Sequence, residues 1–519
     1  MKKVVIMGAG PAGLTCAYNF LKKSNDYEVY IIEENMQVGG ISKTIKYKGS
    51  RMDLGGHRFF SKNKEINNIW QEILPLQGKP SYDDKILKRK INLKKDGPNP
   101  EKDDKVLLVR NRVSRILYNR KFFSYPINIS FNTFKNLGIF STIICGLSYF
   151  KSILIKKKEK NLEDFYINRF GNKLYSMFFK DYTEKVWGRN PNEISSSWGK
   201  QRVKGLNIIV VLKDSILRKF NIKNNKKETS LIENFYYPKY GPGQMWETMA
   251  KEIKKMGGKI IKNAKVVNIY EKNYRIKYVD YIIDGKTERI KADYFVSSLA
   301  LKDLVTMMND VDKKAYSIAT KLPYRSFITL GIVAKKINLK NETNIKTINN
   351  IVPDSWIYIQ ENDVKMGRIQ VFNNWSSYLV DDVKNTISLG IEYFCDEDDK
   401  LWNMSNKEFT NFVIKELEKI NILSKDDIIN THVERVKKAY PAYFDSYKDI
   451  DKLIRYLNRY DNLYCIGRNG QHRYNNMDHS MLTGLYASNN IINNIKDKSN
   501  IWNVNILDEY LEKGDDNDW

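Results

Sequence analysis

Three glycines and one acid near the start of the chain have the spacing to hold a dinucleotide. Gly8-Ala9-Gly10-Pro11-Ala12-Gly13 follows the apolar run Val4-Val5-Ile6-Met7, and Glu33 follows Gly13 by twenty residues. In such a turn Gly8 permits the tight bend, Gly10 lets the backbone approach a pyrophosphate, and Gly13 lets the helix pack closely on the strand. Pro11 and Ala12 open that helix, whose N-terminal N–H groups and positive dipole end favour a diphosphate. A carboxylate at Glu33 can accept hydrogen bonds from both hydroxyls of an unphosphorylated adenosine ribose, which leaves FAD or NAD as the cofactor. A GxGxxG turn alone is a weak signal. The preceding strand, the following helix and the acid at the right distance make it specific.

The elements that must position these residues are legible in outline. Val4–Met7, Leu14–Lys23 and Tyr27–Ile32 read as strand, helix and strand. Lys85 to Lys105 is polar and lysine-rich around Asp96-Gly97-Pro98, as an exposed loop would be, and Val106 to Tyr125 alternates as a hairpin around Tyr118-Asn119-Arg120. Residues 128 to about 225 carry helical periodicity, for example Leu162–Phe170 and Lys173–Tyr182. A helix is expected over Met249–Met256, strands over 260–300, and further strands at Phe327–Val333, Ser355–Ile359 and Ile387–Phe394. Leu463–Ile466, the turn Gly467-Arg468-Asn469-Gly470 and a helix over Met481–Ile495 repeat the strand, glycine turn, helix order. That second turn would bring backbone N–H groups and Arg468 to the cofactor.

Composition narrows the function classes. With 519 residues, 42% hydrophobic and 29% charged, the chain is long enough for two or three domains with a sizeable core. Cys16, Cys145, Cys395 and Cys465 lack CxxC spacing, so no disulfide framework, zinc site or other metal is expected. The net charge of +26 is spread along the chain, and no nucleic-acid-binding signature accompanies it. The first apolar run ends in the glycine turn and does not read as a signal peptide, so a cytoplasmic location is expected. Leu137 to Ile155 is largely apolar and runs into Lys156-Lys157-Lys158. It contains Lys151 and barely reaches spanning length, so it is expected as a buried or half-buried helix. A monotopic helix at the inner membrane face is the competing reading.

Further segments carry a family resemblance. Gly39-Gly40 and Asp53-Leu54-Gly55-Gly56-His57 resemble the close-approach glycines of the FAD-binding amine oxidase superfamily, which implies FAD rather than NAD. These segments, with Phe60-Ser61, Tyr125-Pro126, Lys185-Val186-Trp187, Trp198 with Arg202, Trp356-Ile357-Tyr358, Arg368 with Asn374, Tyr440-Pro441 and Gly467-Arg468 through Tyr474 to Asp478-His479-Ser480, resemble the UDP-galactopyranose mutases of the eukaryotic type. The resemblance runs in order over nearly the whole chain. It implies a pyranose–furanose mutase in which the N5 atom of reduced FAD attacks the anomeric carbon of a UDP-sugar, with NADPH or NADH as reductant. It also implies an α/β fold: an FAD-binding Rossmann-like domain of the glutathione reductase type (1–85, 235–300 and 455–497), a helical subdomain (128–234) and an antiparallel β-sheet substrate domain (86–127 and 301–454). Residues 498–519 would form a C-terminal extension.

Residue by residue, the resemblance implies Gly8, Gly10, Pro11, Ala12, Gly13, Glu33, Gly39, Gly40, Gly56, Arg468, Asp478 and Ser480 at the FAD. Arg202 and Arg368 would hold the diphosphate with Tyr440 and Tyr474, since a guanidinium fork grips phosphate oxygens bidentately. Tyr125, Asn128, Trp356 and Tyr358 would hold the uracil, and His57 would stand beside the flavin. Three departures surround the sugar: Arg58 replaces an apolar residue, Lys62 a histidine, and no asparagine matches near Tyr236-Tyr237-Pro238. Ordinary packing also explains a tyrosine in a chain with thirty-three of them, and Trp187 and Trp198 read as core. Two other readings fit the same fold: an FAD oxidase or desaturase of the protoporphyrinogen oxidase or carotenoid type, and a non-catalytic flavin protein docked to membrane glycosyltransferases.

Overall fold

The structure is a computed structural model and describes residues 1–125, 127, 131–196, 198, 199 and 234–505. Strand β1 (Lys2–Met7), helix α1 (Pro11–Lys23) and strand β2 (Tyr27–Ile32) form the expected unit. Val4, Val5 and Ile6 are wholly buried, as a strand covered on both faces requires. Five parallel strands make this sheet, in the order Leu463–Cys465, Tyr294–Ser297, β1, β2, Lys259–Ile261. Segments far apart in sequence thus meet at the ends of β1 and of Leu463–Cys465. A Cβ on Gly13 would stand 2.0 Å from the carbonyl oxygen of Gly8, and one on Gly484 would stand 2.3 Å from that of Ala12. Glycine at these two places lets α1 close on its own turn and the helix Met477–Ile492 close on α1.

A second sheet has seven strands, in the order Ile428–Pro441, Tyr324–Ala334, Ile387–Cys395, Arg368–Val371, Trp356–Ile359, Ser114–Tyr118, Lys121–Ser124. Neighbours are antiparallel except Trp356–Ile359 and Ser114–Tyr118, which run parallel. The sheet is thus antiparallel, as expected, but for that one parallel pair. The Ser114–Tyr118 hairpin turns on Asn119 and Arg120 with φ of 49° and 58°, the two-residue turn that matches strand twist.

Helices Phe131–Leu137, Ile139–Leu154, Leu162–Tyr175 and Asp181–Trp187 occupy the segment expected to be helical. The Ile139–Leu154 helix corrects the expectation of burial. It turns its large apolar side chains outward, with Phe140 at 84% and Leu147 at 67% exposure. Periodicity had shown that these residues share a face but not which way the face points. Two boundaries also move: the helix expected over Met249–Met256 spans Pro242–Lys255, and the one expected over Met481–Ile495 spans Met477–Ile492, while the turn Gly467–Gly470 is a single helical turn. Among the described residues no helix is long and apolar enough to cross a membrane.

Candidate active site

The glycine turn and its acid assemble as a cradle. The Ala9 N–H donates to Glu33 Oε2 at 2.7 Å, and Glu33 Oε1 accepts from the Asn35 backbone N–H at 2.9 Å. Gly39 donates to the Ala9 carbonyl at 2.8 Å, which holds the 39–40 backbone against the turn. A Cβ on Gly10 would meet nothing nearer than the Gly40 Cα at 4.0 Å. The two bare backbones therefore face each other across a gap that side chains would fill.

Arg468 comes to the same end of the sheet from Gly467–Gly470. Its Nη1 donates to the Asn475 carbonyl at 3.3 Å, while its buried Nε and Nη2 have no hydrogen-bond partner. A buried guanidinium with spare donors is the kind of group that an anionic ligand would complete. Asp478 and Ser480 lie buried in the first turn of Met477–Ile492, with Asn476 and His479 forming a reciprocal cap.

Across the seven-stranded sheet, register places Tyr358 opposite Arg368 and Arg368 opposite Glu392. Side chains opposite one another on adjacent strands share a face, so these three stand in one row. Arg368 Nε donates to Glu392 Oε2 at 2.8 Å, and Gln370, two residues along the same strand, donates to Glu392 Oε1 at 2.8 Å. The Glu392 side chain is fully buried and the Arg368 side chain is 17% exposed. Arg368 Nη2 also reaches the Tyr440 hydroxyl at 3.4 Å. Tyr440 stacks on Tyr474 with centroids 5.6 Å apart, and the Arg468 guanidinium lies over both rings at 4.9 and 4.0 Å. Arg368 from the seven-stranded sheet and Arg468 from the end of the parallel sheet thus converge on one tyrosine pair.

The loop Gly55-Gly56-His57 covers this row. A Cβ on Gly55 would stand 3.7 Å from His57 Nε2, 3.9 Å from Arg368 Nη2 and 4.0 Å from Glu392 Oε1. Desolvation brings the His57 pKa down to about 4, and the charges of Arg468 and Arg368 push the same way. Its Nε2 lies 2.9 Å from the Leu54 carbonyl. His57 is therefore a neutral imidazole at neutral pH. Burial likewise lifts the Tyr182 phenol well above its usual range, in the fields of Arg368, Tyr358 and Glu392.

Aromatic rings line the far end of the row. Tyr358 packs against Tyr125 at 4.6 Å and Tyr182 at 5.3 Å, and Trp356 stacks on Trp375 at 5.6 Å. The buried Trp356 Nε1 has no hydrogen-bond partner.

The same geometry bears on what this chain resembles. A model of NAD(P)-binding Rossmann-like domains matches residues 6–73. Kynurenine 3-monooxygenase of Emericella nidulans is 31% identical over 83 residues, which is 15% of this chain and only 16% of that enzyme's length. A solved structure of reduced UDP-galactopyranose mutase superposes with a TM-score of 0.74 over 97% of this chain and 99% of its own, at 22% identity. The chain shares the fold of UDP-galactopyranose mutase. A putative protoporphyrinogen oxidase from Exiguobacterium sp. 255-15 follows at a TM-score of 0.63 and 14% identity, covering 95% of this chain and 98% of its own. Putrescine oxidase bound to putrescine reaches 0.57 at 12% identity, covering 95% and 99%. The expected α/β architecture, with its Rossmann-like part, helices and second sheet, is the one observed.

Set on this shared fold, the residues singled out in the sequence divide into three groups. Arg368, Tyr440, Tyr474, Arg468, Tyr358 and His57 come together around the row just described. Gly8 to Gly13, Glu33, Gly39 and Gly40 gather at the end of β1. Arg202 and Asn128 lie outside the described residues. Several neighbours serve the framework. Lys185 donates to the carbonyls of Ile359, Glu361 and Met366, and Asn374 to those of Val352 and Asp354. His472 Nε2 lies 2.9 Å from the Ala442 carbonyl. Asp396, Asp398 and Asp399 are close enough to share a cation, but Arg325 already pairs with Asp396.

Sequence reasoning passed over Glu392, Gln370 and Tyr182. Glu392 had a signal of its own, since it is the lone charge in the largely apolar run Ile387–Cys395, buried throughout. Burying a carboxylate there is tolerable only with a cation beside it.

Proposed function

We propose that this chain is a flavin-dependent mutase that interconverts the pyranose and furanose forms of a UDP-hexose, with galactose as the leading sugar. The convergence of Arg368 and Arg468 on the stacked pair Tyr440 and Tyr474 carries the reading. Two guanidinium groups with phenols between them suit a diphosphate and repel a cationic amine; Arg368 is already paired with Glu392, but an apolar substrate would leave the spare donors of Arg468 unmet. This weighs against the oxidase reading, although oxidases share the fold.

FAD fits the residues present. The Gly10–Gly40 gap and the Glu33 carboxylate would take the adenosine and pyrophosphate, and the spare donors of Arg468 would face an anionic or carbonyl edge. When bound and reduced, the flavin would supply a nucleophile for the anomeric carbon.

The chain's own groups do the rest. Arg368, fixed by Glu392, and Tyr440 and Tyr474 would hold UDP in place after the glycosidic bond breaks, so that it is not lost before ring closure. Arg202 would add a second cation, as the resemblance implies. Trp356, Tyr358, Tyr125 and Asn128 would seat the uracil by stacking and amide contacts. His57, held neutral, would donate or accept a hydrogen bond beside the reacting sugar without adding charge. NADPH or NADH would keep the cofactor reduced.

The test is displacement of a fluorescent UDP analogue from wild type and Arg368→Ala. A loss of roughly a hundredfold or more in affinity, with the yellow chromophore retained, is expected from removing a buried charge-assisted contact. Unchanged affinity would remove Arg368 from the diphosphate site.

A further inference from the structure

The helix Ile139–Leu154 is built inside out. Its inner face carries Ser141, Cys145, Ser148 and Ser152, while Ile139, Phe140, Ile143, Leu147, Phe150 and Leu154 are exposed by 56% or more. These six lie within roughly 100° of arc at 100° per residue, so they form one continuous stripe. Ten of the 21 large apolar side chains exposed among the described residues fall between Phe134 and Ile155.

The inward face is specifically fitted. A Cβ on Gly171 would stand 2.8 Å from the Tyr149 Cα, and Ser148 Oγ accepts from the Lys173 N–H at 3.0 Å. The helix is therefore pinned by its small residues and cannot roll its apolar stripe inward.

Charge identifies what covers the stripe. No Asp or Glu occurs from Lys105 to Lys158, whereas Lys135 and Lys151 flank the apolar positions and Lys156-Lys157-Lys158 follow the helix directly. Lys157 has Asp164 at 3.9 Å, but a second copy would bring the same acid-free run, Lys105 to Lys158, against this one, and that run offers no carboxylate to Lys135 and Lys151. An anionic bilayer meets both needs, taking apolar side chains into the acyl boundary and lysines at the headgroups. Sixteen residues at 1.5 Å each give a helix of about 24 Å, short of the roughly 30 Å hydrocarbon core, so it would lie in the interface. We propose that this helix docks the enzyme on an anionic membrane surface, in the plane of the headgroups.

Flotation of the full-length protein with lipid vesicles tests the proposal. Vesicles containing about 30% phosphatidylglycerol should carry the protein up at least about tenfold more than pure phosphatidylcholine, and about 1 M salt should weaken the binding. The double variant Phe140→Glu/Leu147→Glu should bind about tenfold less while its melting midpoint stays near wild type. Lys156→Glu/Lys158→Glu should lose the preference for the anionic lipid. The Phe140→Trp variant should blue-shift its emission only when vesicles are added. Three results would overturn the proposal: no flotation with either vesicle, undiminished binding by the Phe140→Glu/Leu147→Glu variant, or blue-shifted Phe140→Trp emission without lipid. The last result would mean that this chain or a second copy already covers the stripe.

Discussion

Two regions of this molecule break the rule that apolar groups go in and charges stay out, and they break it in opposite directions. On the seven-stranded sheet, Arg368 and Glu392 are buried as an ion pair under the Gly55–His57 loop. On the helix Ile139–Leu154, Phe140 and Leu147 stand in the open while serines point inward. The inward charges are satisfied by each other and by Gln370 and Tyr440, so the fold itself accounts for them only as a closed set. The outward hydrophobics are satisfied by nothing in the described structure. A buried polar cluster stiffens a site for a ligand, whereas an exposed apolar stripe requires a surface to complete it.

Substitutions in the two regions should therefore differ most in stability. Arg368→Met leaves the Glu392 carboxylate buried without its cation and should cost about 3–5 kcal/mol in denaturant unfolding. A cost below about 1 kcal/mol would mean that the pair is far better hydrated than its burial indicates. Glu392→Gln keeps the shape and one acceptor, and should cost less, about 1.5–3 kcal/mol.

The third prediction concerns pH. His57 has its pKa brought from 6.5 down to about 4, so the unfolded chain takes up a proton at His57 that the folded chain refuses. Its presence destabilises the fold progressively as pH falls from 6.5 towards 4, and His57→Gln should narrow that loss. Asp53, pushed up to about 7 by burial, works with the opposite sign, so the comparison must be wild type against variant and not the bare profile. A constant stability gap between the two proteins across that range would show that His57 titrates normally. The smallest effect belongs to the helix: Phe140→Glu should change stability by less than about 0.5 kcal/mol, because the side chain is already in solvent. A larger loss would show the stripe to be covered.

The two regions also differ in how far the sequence disclosed them. The glycine turn was legible because its parts are local: Gly8, Gly10, Gly13 and Glu33 act within one βαβ unit whose spacing is set by backbone geometry. Arg368, Tyr358, Tyr440 and Tyr474 were found through the motif resemblance, while their partner Glu392 was not. Cross-strand neighbours are joined by register, and register is not written in local spacing. The helix was seen as a helix, but its orientation depended on the close approach at Gly171, which belongs to a different element.

The most direct measurement is turnover of UDP-galactopyranose by the purified yellow protein, with and without dithionite, products separated by chromatography. The furanose product is expected only under reduction, with activity lost in Arg368→Ala. Absence of product together with absence of UDP binding would contradict the mutase reading and return the oxidases of this fold to first place.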